Sequence, residues 1–409
     1  MGIVSSGALC DALRRRRLVS ASSFSEILHL AQGRSQDARG LAKLLVQRGW
    51  LTLFQMREIL RGGVDNLVIG PYHVLDLLGK GGLSQVFKAR HAEQGWIAAL
   101  KVLRPEALCD APGRRQFLEE MEAMAQMSHP NVVEFCDVDQ ADETFYFAME
   151  FVEGVDLGKR VALAGPLPPH EACDYIRQAA LGLQHAHERN IVHRDIKPMN
   201  LFLTQAPVLE AGNLRGQAAP LRSLIKIIDW GLALRRLPGA ALDEHEDSRP
   251  SMVGTADYLA PEQAQDSWSV DIRADIYGLG CTFYYLLTGQ PPFPQRHLGQ
   301  KLMMHRKERP RPLSEFRRDV PGEVDDILKR MMAKTPAQRF QTPAAVALAL
   351  VPFAVARSTV MPTGAPPQVV AGRSSSPRKD ETPLPGALSS SCRQALARAT
   401  NRNPRAPGC

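Results

Sequence analysis

The sequence predicts an α+β fold, with a short helical extension before it and an irregular tail after it. Three observations support this prediction. Apolar residues recur at helical spacing between residues 24 and 62. Runs of strand-like composition stand at 72–75, 97–103 and 146–152, whereas the residues from Phe353 onward are rich in Pro, Ser, Arg and Gly.

The composition is that of a globular protein. The 409 residues are 44% hydrophobic and 23% charged, a length and balance that favour two or three domains. Seven cysteines, an odd number without a CxxC pair, indicate reduced thiols and a cytoplasmic location. The sequence shows neither a run of about 18 apolar residues nor a signal-peptide pattern, so no membrane span is expected.

The basic charge of the chain lies in its tail. The formal net charge is +7 and the isoelectric point is about 9.1. Residues 353–409 contain eight Lys and Arg against two acidic residues, and the rest of the chain contains 42 against 41. Because a nucleic-acid-binding domain carries its basic charge on the folded surface, no nucleic-acid partner is expected.

Two segments precede the strand-like runs. Residues 1–20 carry four consecutive arginines, 14–17, and are predicted to be disordered. Residues 21–66 are predicted to form two or three short helices, the last of which opens with a capping box made by Thr52 and Gln55. We expect this helical extension to pack on the domain that follows or on a partner.

A glycine-rich stretch at 78–84 and a lysine after it suggest phosphate binding. Glycines let the backbone N–H groups of a hairpin approach phosphates, because no Cβ stands in the way. Lys101 stands among the apolar residues of the run 97–103. These neighbours favour a buried strand with the ammonium group aimed into a cleft over a surface lysine, and a buried lysine needs a carboxylate partner.

Carboxylate and amide groups recur later at fixed spacing. The run 193–195, His-Arg-Asp, precedes Asn200, and Asp229 follows the apolar residues Ile227 and Ile228. This pattern resembles a phosphoryl-transfer site, and the resemblance implies that one carboxylate accepts a hydroxyl proton while an amide oxygen and a second carboxylate hold magnesium. The His-Arg-Asp run alone could be an ordinary solvated loop, but the order of these motifs after the glycine-rich stretch and Lys101 favours a phosphoryl-transfer site.

Taken together, these motifs resemble the bacterial eukaryotic-type (Hanks-type) serine/threonine protein kinases over residues 67–352. The resemblance implies a two-lobed protein kinase fold. A small β-rich N-lobe with a helix αC would span 67–152, and a larger helical C-lobe would span 153–352, with a surface insert at 204–223. The tail, 353–409, is predicted to be disordered because its composition cannot bury a core.

The resemblance also implies roles for the catalytic and metal-binding residues. Asp195 would orient the acceptor hydroxyl and take its proton, Lys197 would offset charge on the migrating phosphoryl group, and Thr255 would hydrogen-bond both. Asn200 and Asp229 would hold Mg²⁺, with Mn²⁺ as the alternative. Trp230 stands where the family has Phe after the metal-binding aspartate.

The resemblance places ATP between the lobes. Glu120 of the helix αC would pair with Lys101, and Glu119, one position round the helix, is the alternative. Ser84 replaces the third glycine of the loop. The residues implied to contact or position ATP are Leu78, Gly79, Gly81, Gly82, Ser84, Val86, Ala99, Lys101, Glu120, Met149, Glu150 and Val152.

The resemblance implies three further features that order the catalytic loop, residues 191–200. Asp275 would brace the loop backbone, and Glu262 would pair with Arg339. Arg194 needs an anion, and a phosphate on Ser248 or Ser251 would supply it. The acidic residues nearby could pair with Arg194 without modification, and these are Asp243, Glu244, Glu246 and Asp247.

Three function classes follow from these residues. The favoured one is an active kinase that phosphorylates Ser and Thr hydroxyls of protein substrates and self-associates to phosphorylate its own activation loop. A nucleotide-binding scaffold would normally lack Lys101, Asp195 or Asp229, and all three are present. A small-molecule phosphotransferase would usually lack the Ala-Pro-Glu sequence at 260–262, which this chain contains.

Overall fold

The computed structural model of the protein describes residues 5–32, 38–82, 84–104, 121–141, 144–207, 221–230, 256–264, 270–295 and 297–354. Its strands are β1 (Val68–Ile69), β2 (Tyr72–Lys80), β3 (Ser84–His91), β4 (Ile97–Leu103), β5 (Phe135–Ala141), β6 (Thr144–Glu150), β7 (Val155–Asp156), β8 (Leu201–Pro207) and β9 (Leu221–Ile227). Its α-helices are α1 (Ser6–Arg15), α2 (Ala21–Gln32), α3 (Ala38–Gln47), α4 (Leu53–Arg61), α5 (Leu157–Ala164), α6 (Pro169–His187), α7 (Ile272–Thr288), α8 (Leu298–Lys307), α9 (Gly322–Met331) and α10 (Pro343–Leu350). Short 3₁₀ turns at Val64–Leu67, Pro198–Asn200, Ala256–Tyr258, Leu313–Glu315, Pro336–Gln338 and Val351–Phe353 join several of them.

The strands form two antiparallel sheets. Six strands make the sheet of the N-lobe in the order β1-β2-β3-β4-β6-β5, and β7-β8-β9 make a small sheet in the C-lobe. The glycine-rich stretch covers the end of β2, the turn into β3 and the first residue of β3. The two-lobed fold that the sequence predicts, a β-rich N-lobe followed by a helical C-lobe, is therefore confirmed.

Strand β4 shows how the N-lobe sheet separates two environments. Side chains alternate between the two faces of a strand. Ala98 and Leu100 lie on the outer face and pack in one apolar cluster with the helical extension, whereas Leu103 packs in the cluster that continues into the C-lobe. Lys101 lies on the same face as Leu103, so the sequence alternation itself aims its ammonium group into the cleft between the lobes.

Helix α1 corrects one prediction, because residues 1–20 were expected to be disordered. Ser5 caps α1 by accepting a hydrogen bond from the backbone N–H of Ala8. Leu9 and Leu13 are fully buried against α3 and its neighbours. The arginine run suggested disorder, but these apolar residues four positions apart form the buried stripe of a helix.

The arginines themselves are accommodated at the end of α1. Arg14 and Arg15 lie in the last turn, where the partial negative charge of the helix end favours cations. Arg16 follows the helix and pairs with Asp65 at 2.5 Å. A basic run is thus compatible with an ordered helix when its apolar stripe has a partner to bury against.

Helix α7 is the centre of the C-lobe. Fifteen of its residues are buried, and it packs against α6 and α9. A Cβ on Gly278 would stand 2.9 Å from the carbonyl oxygen of Ile196, so the absence of a side chain there lets α7 approach the catalytic loop closely. The predicted pair of Glu262 and Arg339 is confirmed, with Arg339 1% exposed.

The hairpin of β8 and β9 extends into the predicted insert. Its register runs from Leu201 opposite Ile227 to Pro207 opposite Leu221. Residues 204–207 and 221–223 are therefore strand rather than surface loop, because their backbone groups continue the ladder. The middle of the insert, 208–220, and the tail from residue 355 lie outside the described residues. Among the described helices, none combines the length and the apolar composition needed to cross a bilayer.

Candidate active site

The catalytic loop brings together three of the predicted residues. The Nζ of Lys197 donates to Oδ2 of Asp195 at 2.7 Å. The amide nitrogen of Asn200 donates to the backbone oxygen of Asp195 at 2.7 Å and to its Oδ2 at 3.2 Å. The Asp195 side chain keeps 27% of its surface exposed, so a carboxylate oriented by two neighbours faces the cleft.

Asp275 holds the backbone of this loop. Its two carboxylate oxygens accept from the backbone N–H groups of His193 and Arg194, each at 2.7 Å. Arg194 adopts a left-handed backbone conformation with φ of 66°, which costs free energy in a residue with a side chain. Gln263 fixes the other side of this residue, because its amide nitrogen donates to the Arg194 oxygen at 2.9 Å.

The electrostatics of Asp275 reflect its position. Burial raises the pKa of the Asp275 carboxyl group, and the nearby His193 and the two backbone hydrogen bonds act in the opposite direction. The residue is 1% exposed. Its carboxylate therefore serves the backbone amides of the loop and is not accessible to a substrate.

Lys101 and Asp229 meet across the cleft. Lys101 is 7% exposed, and its ammonium group contacts the carboxylate of Asp229 and lies 5.8 Å from the ring centroid of Phe147. Burial between the lobes acts to raise the pKa of Asp229, but the Lys101 ammonium outweighs it and the pKa is lowered. The side chain of Asp229 nevertheless keeps 46% of its surface exposed, so part of this carboxylate is open to the cleft.

Asn200 and Asp229 fit a divalent cation. The backbone N–H of Ile228 donates to the backbone oxygen of Asn200 at 3.0 Å, so the residue before Asp229 lies directly beside Asn200 at the base of the β8–β9 hairpin. The side-chain amide nitrogen of Asn200 donates to Asp195, so the side-chain amide oxygen of Asn200 is the atom that can bind a cation. Carboxylate and amide oxygens are the ligands that Mg²⁺ prefers.

The glycine-rich turn is shaped for a ligand. The Gly81 N–H donates to the Ser84 oxygen at 2.8 Å and closes the turn. A Cβ added to Gly79 or Gly82 would meet no atom within 4 Å, so the protein's own packing does not require glycine there. The bare backbone is thus available for the close approach of phosphate oxygens. Leu78, at the start of the turn, is 48% exposed.

The predicted nucleobase pocket lies on one face of the N-lobe sheet. Val86 stands opposite Lys101 on neighbouring strands, and Ala99 stands opposite Met149. Because opposite residues of antiparallel strands share a face, the side chains of Val86, Ala99 and Met149 line the same surface as the Lys101 ammonium. Val152 follows β6 and is half-buried against the apolar cluster that continues into the C-lobe.

Glu150 has a contact that the sequence did not suggest. Its backbone N–H donates to the Glu134 oxygen at 2.8 Å, so a backbone contact from Glu150 to a base would come from its carbonyl. Its carboxylate pairs with Lys226 at 2.6 Å. This pair joins the end of β6 to β9 and so links the two lobes. In the sequence, the sign of such a pair was the isolated charge of Lys226 in an apolar stretch, which calls for a partner without identifying it.

Trp230 belongs to the core. It is 2% exposed, its ring lies 4.9 Å from that of His193, and its indole N–H donates to the Ile227 oxygen at 3.3 Å. The His193 ring also contacts the Ile228 oxygen at 3.1 Å. The indole ring of Trp230, which is bulkier than a phenyl ring, thus has both apolar contacts and a hydrogen-bond partner. It connects the segment that carries Asp229 to the catalytic loop.

Several predicted residues lie outside the described part of the chain. These are Glu119, Glu120, Thr255, Ser248, Ser251, Asp243, Glu244, Glu246 and Asp247. Their roles stay predictions. Gln263 was missed by the sequence reasoning, because a glutamine after Ala-Pro-Glu carries no signal of its own.

Comparison with known proteins gives one consistent result. Residues 72–350 match the family described as "Protein kinase domain". The chain is 32% identical over 277 residues to the serine/threonine-protein kinase PknB of Mycobacterium leprae and 34% identical over 277 residues to PknB of Mycolicibacterium smegmatis. Each match covers 67% of this chain and 41% of the relative, so the chain matches about two fifths of the length of these relatives.

Solved structures show the same likeness. The kinase domain of Mycobacterium tuberculosis PknI aligns with a TM-score of 0.52 and 29% identity. The alignment covers 70% of this chain and 97% of that domain. The helical extension lies before the family match, which begins at residue 72.

Proposed function

The chain belongs to the protein kinase family, and from this premise we propose that it is a serine/threonine protein kinase. It would transfer the γ-phosphoryl group of ATP to Ser or Thr hydroxyls of protein substrates. The observation that carries the proposal is the arrangement of Asp195, which Lys197 and Asn200 orient while Asp275 braces the loop from behind. A scaffold that only bound nucleotide would not need an oriented carboxylate at this position.

Each group has a task in the transfer. Asp195 orients the acceptor hydroxyl and takes its proton as the oxygen attacks the γ-phosphorus, while the bond from the γ-phosphorus to the β–γ bridging oxygen breaks and ADP leaves. Lys197, 2.7 Å from Asp195, lies where it can offset negative charge on the migrating group. Lys101 positions the α and β phosphates, and the backbone of the glycine-rich turn covers them.

Asn200 and Asp229 are the residues that would hold the divalent cation. Mg²⁺, or Mn²⁺ as the alternative, would neutralise charge on the phosphate oxygens. On this proposal Lys101 and the cation share the Asp229 carboxylate. The exposed surface of Asp229 supports this sharing, because the Lys101 contact leaves part of the carboxylate open to the cleft.

Replacing Lys101 with Ala should lower ATP-dependent transfer by about a hundredfold or more, the loss typical of one preorganised charge contact to the transferring group. Removal of the ammonium group also leaves the Asp229 carboxylate without its neighbour in the cleft. Initial rates over a range of ATP concentrations measure the effect. Lys329→Ala, which removes an exposed lysine from the Asp325 pair, is the control and should match the wild type. Wild-type kinetics in Lys101→Ala would remove this lysine from the site.

Labelled ATP provides the test of the proposed function. The purified chain is incubated with γ-labelled ATP, Mg²⁺ or Mn²⁺, and a peptide library with Ser, Thr or Tyr acceptors, and the phosphosites are mapped. Label on Ser and Thr, absent in Asp195→Asn, supports the proposal. ATP binding without transfer would favour the scaffold, and transfer only to small molecules would favour the phosphotransferase.

Two finer points extend the proposal. We propose self-association for phosphorylation of the activation loop, and initial autophosphorylation rates that rise with the square of protein concentration would support it. We also propose a cytoplasmic location. The described cysteines Cys10, Cys136, Cys173 and Cys281 support this, because all four are thiols rather than disulfides.

A further inference from the structure

The last helix of the extension contacts the strand that leads into the glycine-rich turn. The hydroxyl group of Thr52, which caps α4, donates to the Leu75 oxygen at 2.5 Å. The side-chain amide of Gln55 donates to the Val74 oxygen at 2.7 Å. Gln55 is only 3% exposed, although glutamine is a residue that normally lies on the surface.

These two carbonyl groups lie where the sheet supports β2 least. The neighbouring strand β1 pairs only with Tyr72 and His73, so β2 forms the edge of the sheet beyond them. The register between β2 and β3 shifts between Val74 and Asp76, which leaves Leu75 in a bulge. Buried or half-buried carbonyls at a bulged edge need partners, and α4 supplies them.

A second irregularity places the consequence at the nucleotide site. The register shifts again between Leu77 and Gly79, at the start of the glycine-rich turn. The ladder is thus interrupted on both sides of Asp76 and Leu77. Among the described residues, the hydrogen bonds from Thr52 and Gln55 thus restrain β2 ahead of the turn in addition to the β2–β3 ladder.

The donors on α4 are held in place. Thr52 and Gln55 form a reciprocal capping box, because the Thr52 hydroxyl accepts from the Gln55 N–H at 3.1 Å and Oε1 of Gln55 accepts from the Thr52 N–H at 3.0 Å. Phe54 packs on Phe87 of β3 with ring centroids 6.2 Å apart. Ile59 is fully buried in the cluster shared with the sheet. Helix α4 and the β2–β3 hairpin thus form one packed unit.

We propose that the helical extension is a positioning element for the glycine-rich turn, acting through Thr52 and Gln55 on the carbonyls of Leu75 and Val74. This inference rests on the proposed function, because it assigns the turn to ATP phosphates. With these hydrogen bonds in place, β2 holds the glycine-rich turn in a fixed position over the cleft. Without them, the bulged strand moves more freely and ATP is held less well, whereas the catalytic loop is unchanged.

The test compares the double variant Thr52→Val/Gln55→Met with the wild-type chain. These substitutions keep side-chain size and remove both donors. We expect the Kd of a fluorescent ATP analogue and the KM for ATP to rise about three- to tenfold, the size expected when a neutral hydrogen bond is lost. We expect kcat to stay within about twofold, since Asp195 and Lys197 are untouched. Amide hydrogen exchange should become faster in 74–82 and remain unchanged in α7.

Three controls separate positioning from general loss of stability. Ser5→Ala removes the cap hydroxyl of α1, whose hydrogen bond within the described residues is to the backbone N–H of Ala8 in the same helix, so it should leave ATP affinity unchanged. Arg57→Gln alters an exposed residue of α4 and should do the same. Thr52→Ser retains the hydroxyl and should keep wild-type affinity for ATP. Thr52→Val alone should show part of the loss of affinity, and it replaces the double variant if the latter does not fold.

The outcomes distinguish this inference from the proposed function. Unchanged ATP affinity and unchanged exchange in 74–82 would overturn the inference while transfer by the wild type still supported the kinase. An equal effect of Ser5→Ala would also overturn it, because the extension would then act through stability alone. If the wild type transferred no phosphate, nucleotide binding and exchange would still decide whether α4 positions the turn.

Discussion

Asp195→Asn should lower kcat by about a hundred- to ten-thousandfold, the range that a positioned general base contributes. Asparagine keeps the shape of the side chain and an oxygen that can accept from Lys197 and Asn200, as the carboxylate does at 2.7 and 3.2 Å. It cannot take the proton of the acceptor hydroxyl. The Kd for ATP and the thermal unfolding temperature should stay close to the wild-type values, because the side-chain partners of Asp195 among the described residues are Lys197 and Asn200 of the catalytic loop.

The matched control for this variant is Asp325→Asn. Asp325 also pairs with a lysine, Lys329, at 2.6 Å, but on the surface helix α9. Its kcat should equal that of the wild type. Near-normal turnover in Asp195→Asn would show that another group accepts the proton and that the carboxylate is misassigned. A large fall in unfolding temperature would show instead that Asp195 is part of the framework.

Arg339→Ala should destabilise the C-lobe by about 3–5 kcal/mol, the cost of breaking a buried ion pair. The guanidinium group donates to both oxygens of Glu262 at 2.6 and 2.8 Å and also to the carbonyls of Ala333 and Arg273 at 2.8 and 2.7 Å. It further lies 4.8 Å from the ring centroid of Tyr277. Alanine would leave the Glu262 carboxylate unpaired and the two carbonyls without their donor, and thermal unfolding measures the loss.

Two further variants sharpen this measurement. Arg339→Lys keeps the charge but cannot form the two-pronged contact with Glu262, so it should lie between the wild type and Arg339→Ala. Arg330→Ala removes an exposed arginine that lies over the Phe340 ring at 4.2 Å, and we expect a loss of about 0.5–1 kcal/mol. Equal unfolding temperatures for Arg339→Ala and Arg330→Ala would contradict the structural role of the buried pair.

Local spacing was sufficient to predict the catalytic loop. Asp195, Lys197 and Asn200 lie within six residues of one another, so the chain between them fixes which side chains can meet. The structure confirms that they touch. The same holds for the alternation along β4, which puts Lys101 on the cleft face and Leu100 on the outer face, because side-chain direction in a strand repeats every two residues.

Longer-range contacts divided into two kinds. The pair of Glu262 and Arg339 could be predicted because both residues belong to motifs that the family resemblance supplies. The contact of Gln263 with Arg194 and that of Glu150 with Lys226 could not, since each joins residues distant in sequence without a motif that names the partner. Packing of whole helices and strands decides such contacts.

The sequence by itself determined the order of the phosphoryl-transfer motifs, the two-lobed fold and the residues proposed for catalysis, because these depend on residue type and short spacing. Only the tertiary structure decided the place of the helical extension. The arginine run suggested disorder, although apolar residues of α1 form a buried stripe. The capping box of α4 predicted a helix but did not indicate which strand that helix would contact. A helix cap forms between residues a few positions apart, so the sequence is enough to predict it. The group that accepts from the remaining side-chain donors depends on which helix and strand surfaces pack together and exclude water.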